Sequence, residues 1–235
     1  MSDLSFSNST AVFTLGDGAQ LDYYLVQDQS DTSWQVSTIE ASLSRDSRFS
    51  SRVISLGGAL VRNNLGVSLD GPGGHCDMLG VYHGTGKQHI DNHTTMRHAA
   101  AHCTSRELYK GILDQRSRAV FHGRIKVDQD AQKTDATQAN NNLLLSANAE
   151  IDTKPQLEIY ADDVKCAHGA TVGQIDETAL FYLRSRGIGE KDARLLLTYA
   201  FLNDVLAEVE VEPLKVALES KLAGRFFSGA DGDLR

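Results

Sequence analysis

The chain has 235 residues, a formal net charge of -8 and a charged share of 23%, which is the composition of an ordinary globular protein. The acidic balance argues against nucleic acid as a partner, because phosphate binding requires clustered lysine and arginine side chains. Three cysteines without the spacing of a disulfide framework indicate free thiols in a reducing compartment, and no apolar run approaches the ~20 residues that span a bilayer. We therefore expect a cytoplasmic protein without membrane partners.

Short alternating runs separated by turn signals fill the sequence between residues 11 and 69. In one of them, Leu65, Val67 and Leu69 share a parity, and the residues between them are Gly66 and Ser68, which is the period of a β-strand. The region is therefore predicted to be all-β. Many short strands at close spacing are compatible with a sandwich, a barrel or a solenoid, and no strict internal repeat distinguishes among these.

Six of the eight histidines lie between residues 75 and 103. His89 and His93, and again His98 and His102, are four residues apart, a spacing that would place each pair on one face of a helix as zinc ligands. The aspartate, asparagine and threonine residues between them are poor helix formers, and the zinc-helix signature HExxH is absent. We favour histidines that are hydrogen-bonded within stacked strands or turns, with a metal site as the alternative.

Two segments in the middle of the chain are ambiguous when read locally. Residues 104–107 form a capping-box pattern that favours a helix, whereas Gly111 would weaken such a helix by ~1 kcal/mol. Residues 128–142 read DQDAQKTDATQANNN, a composition typical of a loop or linker. In a stacked sheet, the same residues can instead form hydrogen-bonded ladders.

Cys166 and His168 are two residues apart in a stretch that alternates like a strand from Val164 to Val172. Their side chains should therefore project from one face, about 6.6 Å apart. Thiolate and imidazole bind iron, copper and zinc, and the pair could supply half of a four-ligand site. A nucleophilic Cys–His pair is less favoured because its two groups must lie within ~3 Å of each other. A structural cysteine beside a hydrogen-bonded histidine stays open as the alternative.

The period changes after Gln174, and a helical region is predicted for residues 176–224, followed by a flexible tail at residues 225–235. Asp176 suits the N-cap of a first helix and Gly187 its C′ position. A second helix is predicted for residues 190–208 and a short third one for residues 214–222. The apolar face of the second helix is broad, so we expect it either to cap the end of the β core or to dock on a partner.

Several strings between residues 11 and 209 together resemble the SufB/SufD family of the SUF machinery, which builds iron–sulfur clusters; among them are SRFSSRVISLGGALVRNNLGVSL, DAQKTDATQANNNLLLS and YADDVKCAHGATVGQID. The Cys-x-His string favours the SufD branch of this family over the SufB branch. The resemblance implies a mainly β fold, a right-handed parallel β-helix core over residues 11–175 with C-terminal α-helices, after an N-terminal tail at residues 1–10. It also favours a strand after Thr104.

The resemblance further implies a non-enzymatic assembly protein that works with a SufB-like paralogue and the SufC ATPase. His168, and with less weight Cys166, would handle iron, sulfide or a transient cluster shared with SufB, and no cofactor would be bound permanently. The chain contains no Walker motif, so ATP hydrolysis is expected in the SufC partner. The predicted contacts with SufC are Leu183, Leu195, Leu196, Tyr199 and Leu202.

Two other classes of protein remain as alternatives. A self-associating structural module would form a homodimer through one end of the solenoid. A polysaccharide-active β-helix enzyme would need paired carboxylates in a cleft. Asp162 and Asp163 are adjacent and so point to opposite faces, which argues against the enzyme.

Overall fold

The computed structural model describes residues 4–228, and within them the chain forms twelve strands followed by three helices. The strands are β1 (Ser5–Leu15), β2 (Gln20–Gln27), β3 (Ser33–Leu43), β4 (Arg48–Ser55), β5 (Leu60–Leu69), β6 (His75–Gly84), β7 (His89–His98), β8 (Thr104–Leu113), β9 (Arg118–Val127), β10 (Asp135–Leu144), β11 (Glu150–Ile159) and β12 (Lys165–Gly173). The helices are α1 (Glu177–Ser185), α2 (Glu190–Leu206) and α3 (Glu212–Ser228).

The strands alternate between two parallel sheets as the chain winds. Sheet A has the order β1-β3-β5-β7-β9-β11 and sheet B the order β12-β10-β8-β6-β4-β2, so each turn of the chain adds one strand to each six-stranded sheet. This is a β-solenoid of six turns, which confirms the predicted β-helix. Partners in adjacent turns are 26 residues apart at Trp34 and Leu60 and 32 apart at Arg118 and Glu150. The variable spacing explains why the sequence shows no strict repeat.

Alternation along each strand separates an inner face, directed at the opposite sheet, from an outer face. Leu65, Val67 and Leu69 of β5 are buried on the inner face, as their shared parity predicts. Aromatic rings fill the interior where glycines leave room for them. A Cβ atom on Gly80 of β6 would lie 2.3 Å from the ring of Tyr109, which is 1% exposed.

The polar run that ends at residue 142 is largely an ordered strand with asparagines inside the solenoid. Asn142 Nδ2 donates to Asn140 Oδ1 over 2.7 Å, and Asn140 Nδ2 donates to the Tyr82 hydroxyl over 3.0 Å. Both asparagines are almost completely buried. The interpretation of this run as a hydrogen-bonded stack is confirmed for β10. The interpretation as a linker is wrong for β10, because its buried amides form hydrogen bonds with protein partners instead of with water.

The N-terminal boundary differs from the sequence-based expectation, since β1 begins at Ser5 and not after a tail ending at residue 10. The serines of this segment face serines of β3. The Ser5 hydroxyl donates to Ser33 over 2.7 Å, and the Ser9 hydroxyl donates to Ser37 over 3.2 Å. Residues 104–113 form β8, which confirms the strand and overturns the local helix signal. Backbone pairing with neighbouring turns outweighs local propensity at both places.

The helical region begins as predicted, because the Asp176 side chain accepts a hydrogen bond from the Thr178 amide over 2.8 Å. Gly187 follows α1 with a φ of +87°. The third helix is longer than predicted and continues to Ser228, so the expected tail from residue 225 is helical as far as residue 228. Residues 229–235 of that tail lie outside the described residues. No helix in the described chain is long and apolar enough to cross a membrane.

The helices pack against the outer face of sheet B and do not cap the end of the solenoid. Leu202, Val205 and Leu206 of α2 share a buried apolar cluster with Leu79 of β6 and Ile112 of β8. The expectation of an end cap is therefore wrong. The physical reason is that sheet B has apolar side chains on its outer face as well as its inner face, so the helices have a second apolar surface to bury.

Candidate functional site

The last turn of the solenoid is open in the described chain. Strand β12 forms one edge of sheet B, and β10 is its only strand partner within residues 4–228. Strand β11 is the corresponding edge of sheet A. We refer to these two strands as the β11/β12 end. An edge strand leaves a row of backbone N–H and C=O groups free to pair with another chain.

Cys166 and His168 lie on the same side of β12, as the alternation predicts. Cys166 is in register with Ala136 and His168 with Gln138, and both of these partners are buried on the inner face of β10. Cys166 is half-buried, whereas His168 is exposed. Both groups therefore face the inner side of the last turn, yet the imidazole is accessible because no described strand covers that turn.

Burial and a neighbouring carboxylate make Cys166 a poor thiolate in the isolated chain. Desolvation raises the pKa of the Cys166 thiol, and the negative charge of Asp135 raises it further. The thiol is thus protonated at neutral pH in the isolated chain. A metal ion favours the thiolate strongly enough to reverse this.

Three of the other histidines, His75, His93 and His98, are hydrogen-bonded within the sheets. His75 bonds to Asp77 over 2.9 Å, and His93 bonds to Asp91 over 2.8 Å. The His98 imidazole is buried, contacts the Ser105 hydroxyl over 2.8 Å, and burial lowers its pKa to about 4. Within residues 4–228, no group of three or more histidine, cysteine, aspartate or glutamate side chains could hold a metal ion. The zinc alternative for this region is therefore not supported.

The predicted contacts on the helices divide into surface and core residues. Leu196 is 49% exposed, while Leu183, Leu195 and Tyr199 are half-buried. Leu202 is fully buried in the cluster between α2 and sheet B, so it belongs to the chain's own core and not to a docking surface. The apolar spacing on α2 was compatible with a core position or a docking position for Leu202. Only the packing of α2 on sheet B shows that it is a core position.

Sequence reasoning missed the exposed apolar side chains on α1 and α3. Phe181 and Tyr182 of α1 are 71% and 56% exposed, and Val216 of α3 is 55% exposed. The sequence did contain a signal for this exposure, namely two adjacent aromatic residues directly after Leu180. Neighbouring residues on a helix cannot all face the same core, so some of the three had to be exposed.

The fold and the site together define a β-solenoid protein with a thiol and an imidazole at an open end of the described chain. Comparison with known proteins assigns the family. The chain belongs to the family described as "SUF system FeS cluster assembly, SufBD core domain", whose model matches residues 2–201. Membership covers all twelve strands and reaches into α2.

Individual relatives carry the same family assignment. The chain is 43% identical over 188 residues to the iron-sulfur cluster assembly protein SufD of Escherichia coli, covering 80% of this chain and 44% of the relative. It is 36% identical over 220 residues to a SufBD family protein of Synechocystis, covering 94% and 49%. A SufBD family protein of Mycobacterium leprae is 33% identical over 222 residues, covering 89% and 57%. The chain thus spans about half the length of these relatives.

Proposed function

We propose that this chain helps to build or transfer a nascent iron–sulfur cluster, with its β11/β12 end joined to a SufB-like paralogue. The observation that carries the proposal is the placement of Cys166 and His168 on the inner side of the last turn. Iron and sulfide are the cargo, and Cys166 and His168 supply only part of the ligand set that binds them. The remaining ligands come from the partner that covers the open end.

The unpaired edge of β12 supports this mode of joining. A partner strand that pairs with this edge continues sheet B across the junction, and its own side chains then stack next to Cys166 and His168 at a spacing of ~4.8 Å. Thiolates supplied in this way complete a four-ligand set for iron. The hydrogen bond from Thr171 to Asn141, at 3.0 Å, holds β12 on β10 while the edge is engaged.

A SufC-type ATPase is the second partner, docked on the exposed side of α1 and α2. Leu183, Leu195, Leu196 and Tyr199 remain the proposed contacts, and Phe181 is a further exposed apolar side chain on α1. Since the chain has no Walker motif, its role is to transmit the geometry change that ATP hydrolysis produces in the partner.

A homodimer through the β11/β12 end is the second candidate state, because the same free edge of β12 can pair with a copy of itself. Co-expression separates the two: capture of SufB-like and SufC-type partners supports assembly, and a dimer alone supports a structural module. The polysaccharide-active enzyme has little support, since the Asp163 carboxylate is paired with Lys133 and lies on the surface.

The test is the substitution His168→Ala in cells that depend on the SUF system. The variant should fold and still bind the ATPase but fail to mature iron–sulfur enzymes. His89→Ala is a matched control, since His89 lies on β7 in the opposite sheet and away from the β11/β12 end. Normal maturation in the His168→Ala strain would remove this imidazole from the mechanism.

A further inference from the structure

Glu107, Gln138 and His168 occupy equivalent positions on three neighbouring strands of sheet B. Gln138 is in register with Glu107 of β8 on one side and with His168 of β12 on the other. Neighbouring strands lie ~4.8 Å apart, so the three side chains form one column that reaches the β11/β12 end. Met78 takes the next position of the column in β6 and separates these three side chains from Ser51 of β4.

The hydrogen bond between the two buried members of the column determines how the amide is oriented. Gln138 Nε2 donates to Glu107 Oε2 over 2.7 Å. A carboxylate only accepts hydrogen bonds, so the amide turns its NH2 group toward Glu107 and keeps its oxygen as an acceptor for another group. Gln138 is 2% exposed, and its Oε1 atom has no hydrogen-bond partner among residues 4–228. Since an unsatisfied buried acceptor is destabilising, the site favours a donor at this position.

The interior is shaped to hold the amide in this place. Gly123 of β9 faces Gln138 across the interior, and a Cβ atom on it would lie 2.3 Å from Gln138 Nε2. A side chain at position 123 would thus displace the amide. The glycine lets Gln138 extend while its amide stays tied to Glu107.

We propose that Glu107 and Gln138 are positioning residues for His168, with Gln138 Oε1 accepting a hydrogen bond from one ring nitrogen and leaving the other free at the β11/β12 end. This inference rests on the proposed function, because it assigns the residues that stand behind the candidate ligand. Histidines that bind metal usually donate their second N–H to a carboxylate or carbonyl oxygen, which selects the tautomer. Loss of such a partner typically costs 10–100-fold in affinity or activity.

The glutamate matters because it removes an ambiguity. An amide at position 107 could donate to Gln138 or accept from it, and the Gln138 oxygen would then point to either side. Once ionised, above its raised pKa of about 7, the Glu107 carboxylate permits one orientation only, so it selects the ring nitrogen of His168 that carries the proton. His168 is exposed and is the register neighbour of Gln138, and the proposed hydrogen bond requires its ring to turn toward the amide.

The test measures the tautomer of His168 directly, by nitrogen-15 NMR of the histidine rings in the full chain at pH 8, above the ordinary imidazole pKa. The His168 signals are those that disappear in His168→Ala. We expect one tautomer in the unsubstituted chain and a mixture in Gln138→Met, which keeps the length of the side chain. Gln35→Met is the matched control, because Gln35 is also buried and bonds to Ser37 on the inner face of sheet A.

Glu107→Gln serves as the second variant, and its fold does not depend on a buried charge. It should also give a mixture of tautomers, because an amide at position 107 no longer fixes the orientation of the Gln138 amide. Identical His168 spectra in both variants and the unsubstituted chain would overturn the proposal. In the complex reconstituted with its partners, Gln138→Met should slow cluster formation by about 10–100-fold relative to Gln35→Met. The tautomer is measured without partners, so a failure of the proposed function in the His168→Ala strain is distinguishable from a failure of the positioning roles.

Discussion

Arg106 on the outer face of β8 holds Glu208, just beyond the end of α2, through two parallel hydrogen bonds of 2.8 and 2.5 Å. The same guanidinium also binds Asp77 of β6 over 2.9 Å. One arginine thus joins two strands of sheet B to the helical region. A bidentate pair is the strongest form of this interaction, although 42% of the Arg106 side chain and 33% of the Glu208 side chain remain exposed to water.

Glu208→Gln should weaken this attachment of the helical region. Because the pair is partly exposed, we expect the free energy of unfolding to fall by roughly 1 kcal/mol, measured by urea denaturation. Glu210→Gln is the control, since the exposed Glu210 uses its backbone amide, and not its carboxylate, to bond to Tyr24. Equal losses in the two variants would show that the Arg106 pair contributes nothing specific.

Asp77 should make stability depend on acid pH. Burial opposes its ionisation, but hydrogen bonds from His75 and Arg106 prevail and lower the pKa of Asp77 to about 2. A lowered carboxyl pKa stabilises the fold above the ordinary value near 4, and this contribution is lost as the pH falls toward 2. The difference in unfolding free energy between the unsubstituted chain and Asp77→Asn should therefore shrink by roughly 2 kcal/mol over that interval. A difference that stays constant with pH would contradict this assignment.

Glu107 should act in the opposite direction. Burial raises the pKa of its carboxyl to about 7, so ionisation is disfavoured in the folded state. The stability associated with the neutral acid is present below pH ~4.5 and is lost as the pH rises to about 7. We expect Glu107→Gln to gain roughly 3 kcal/mol relative to the unsubstituted chain between pH 5 and 8. Titration of His98 occurs in both proteins and cancels in this difference, and a flat difference would show that the carboxyl is not desolvated.

Leu196 and Leu202 of α2 should respond differently to substitution. Leu196→Asp changes an exposed side chain, so stability should stay within ~0.5 kcal/mol while capture of a SufC-type ATPase in a pulldown weakens. Leu202→Ala empties a fully buried position and should cost about 2–5 kcal/mol in thermal unfolding. Undiminished capture by Leu196→Asp would place the docking surface elsewhere on the chain.

Local sequence was sufficient wherever a feature depends on neighbouring residues. The shared face of Cys166 and His168 follows from the two-residue period of a strand, and the Asp176 cap follows from the requirement of free amides at a helix start. The resemblance supplied the solenoid, which periodicity alone left open. The start of β1 at Ser5 was not predicted.

The remaining features depend on which residues meet between turns, and this only the tertiary structure decides. Glu107, Gln138 and His168 are separated by 31 and 30 residues, and they meet because each turn places its strand in register with the next. Turn lengths vary along this solenoid, so no repeat in the sequence specifies that register. The burial of Leu202 and the openness of the last turn have the same origin, because a side chain's environment is set by the turn or helix packed against it. The sequence by itself determined the chemistry that β12 carries, and the stacking of turns decided which of those groups stay accessible.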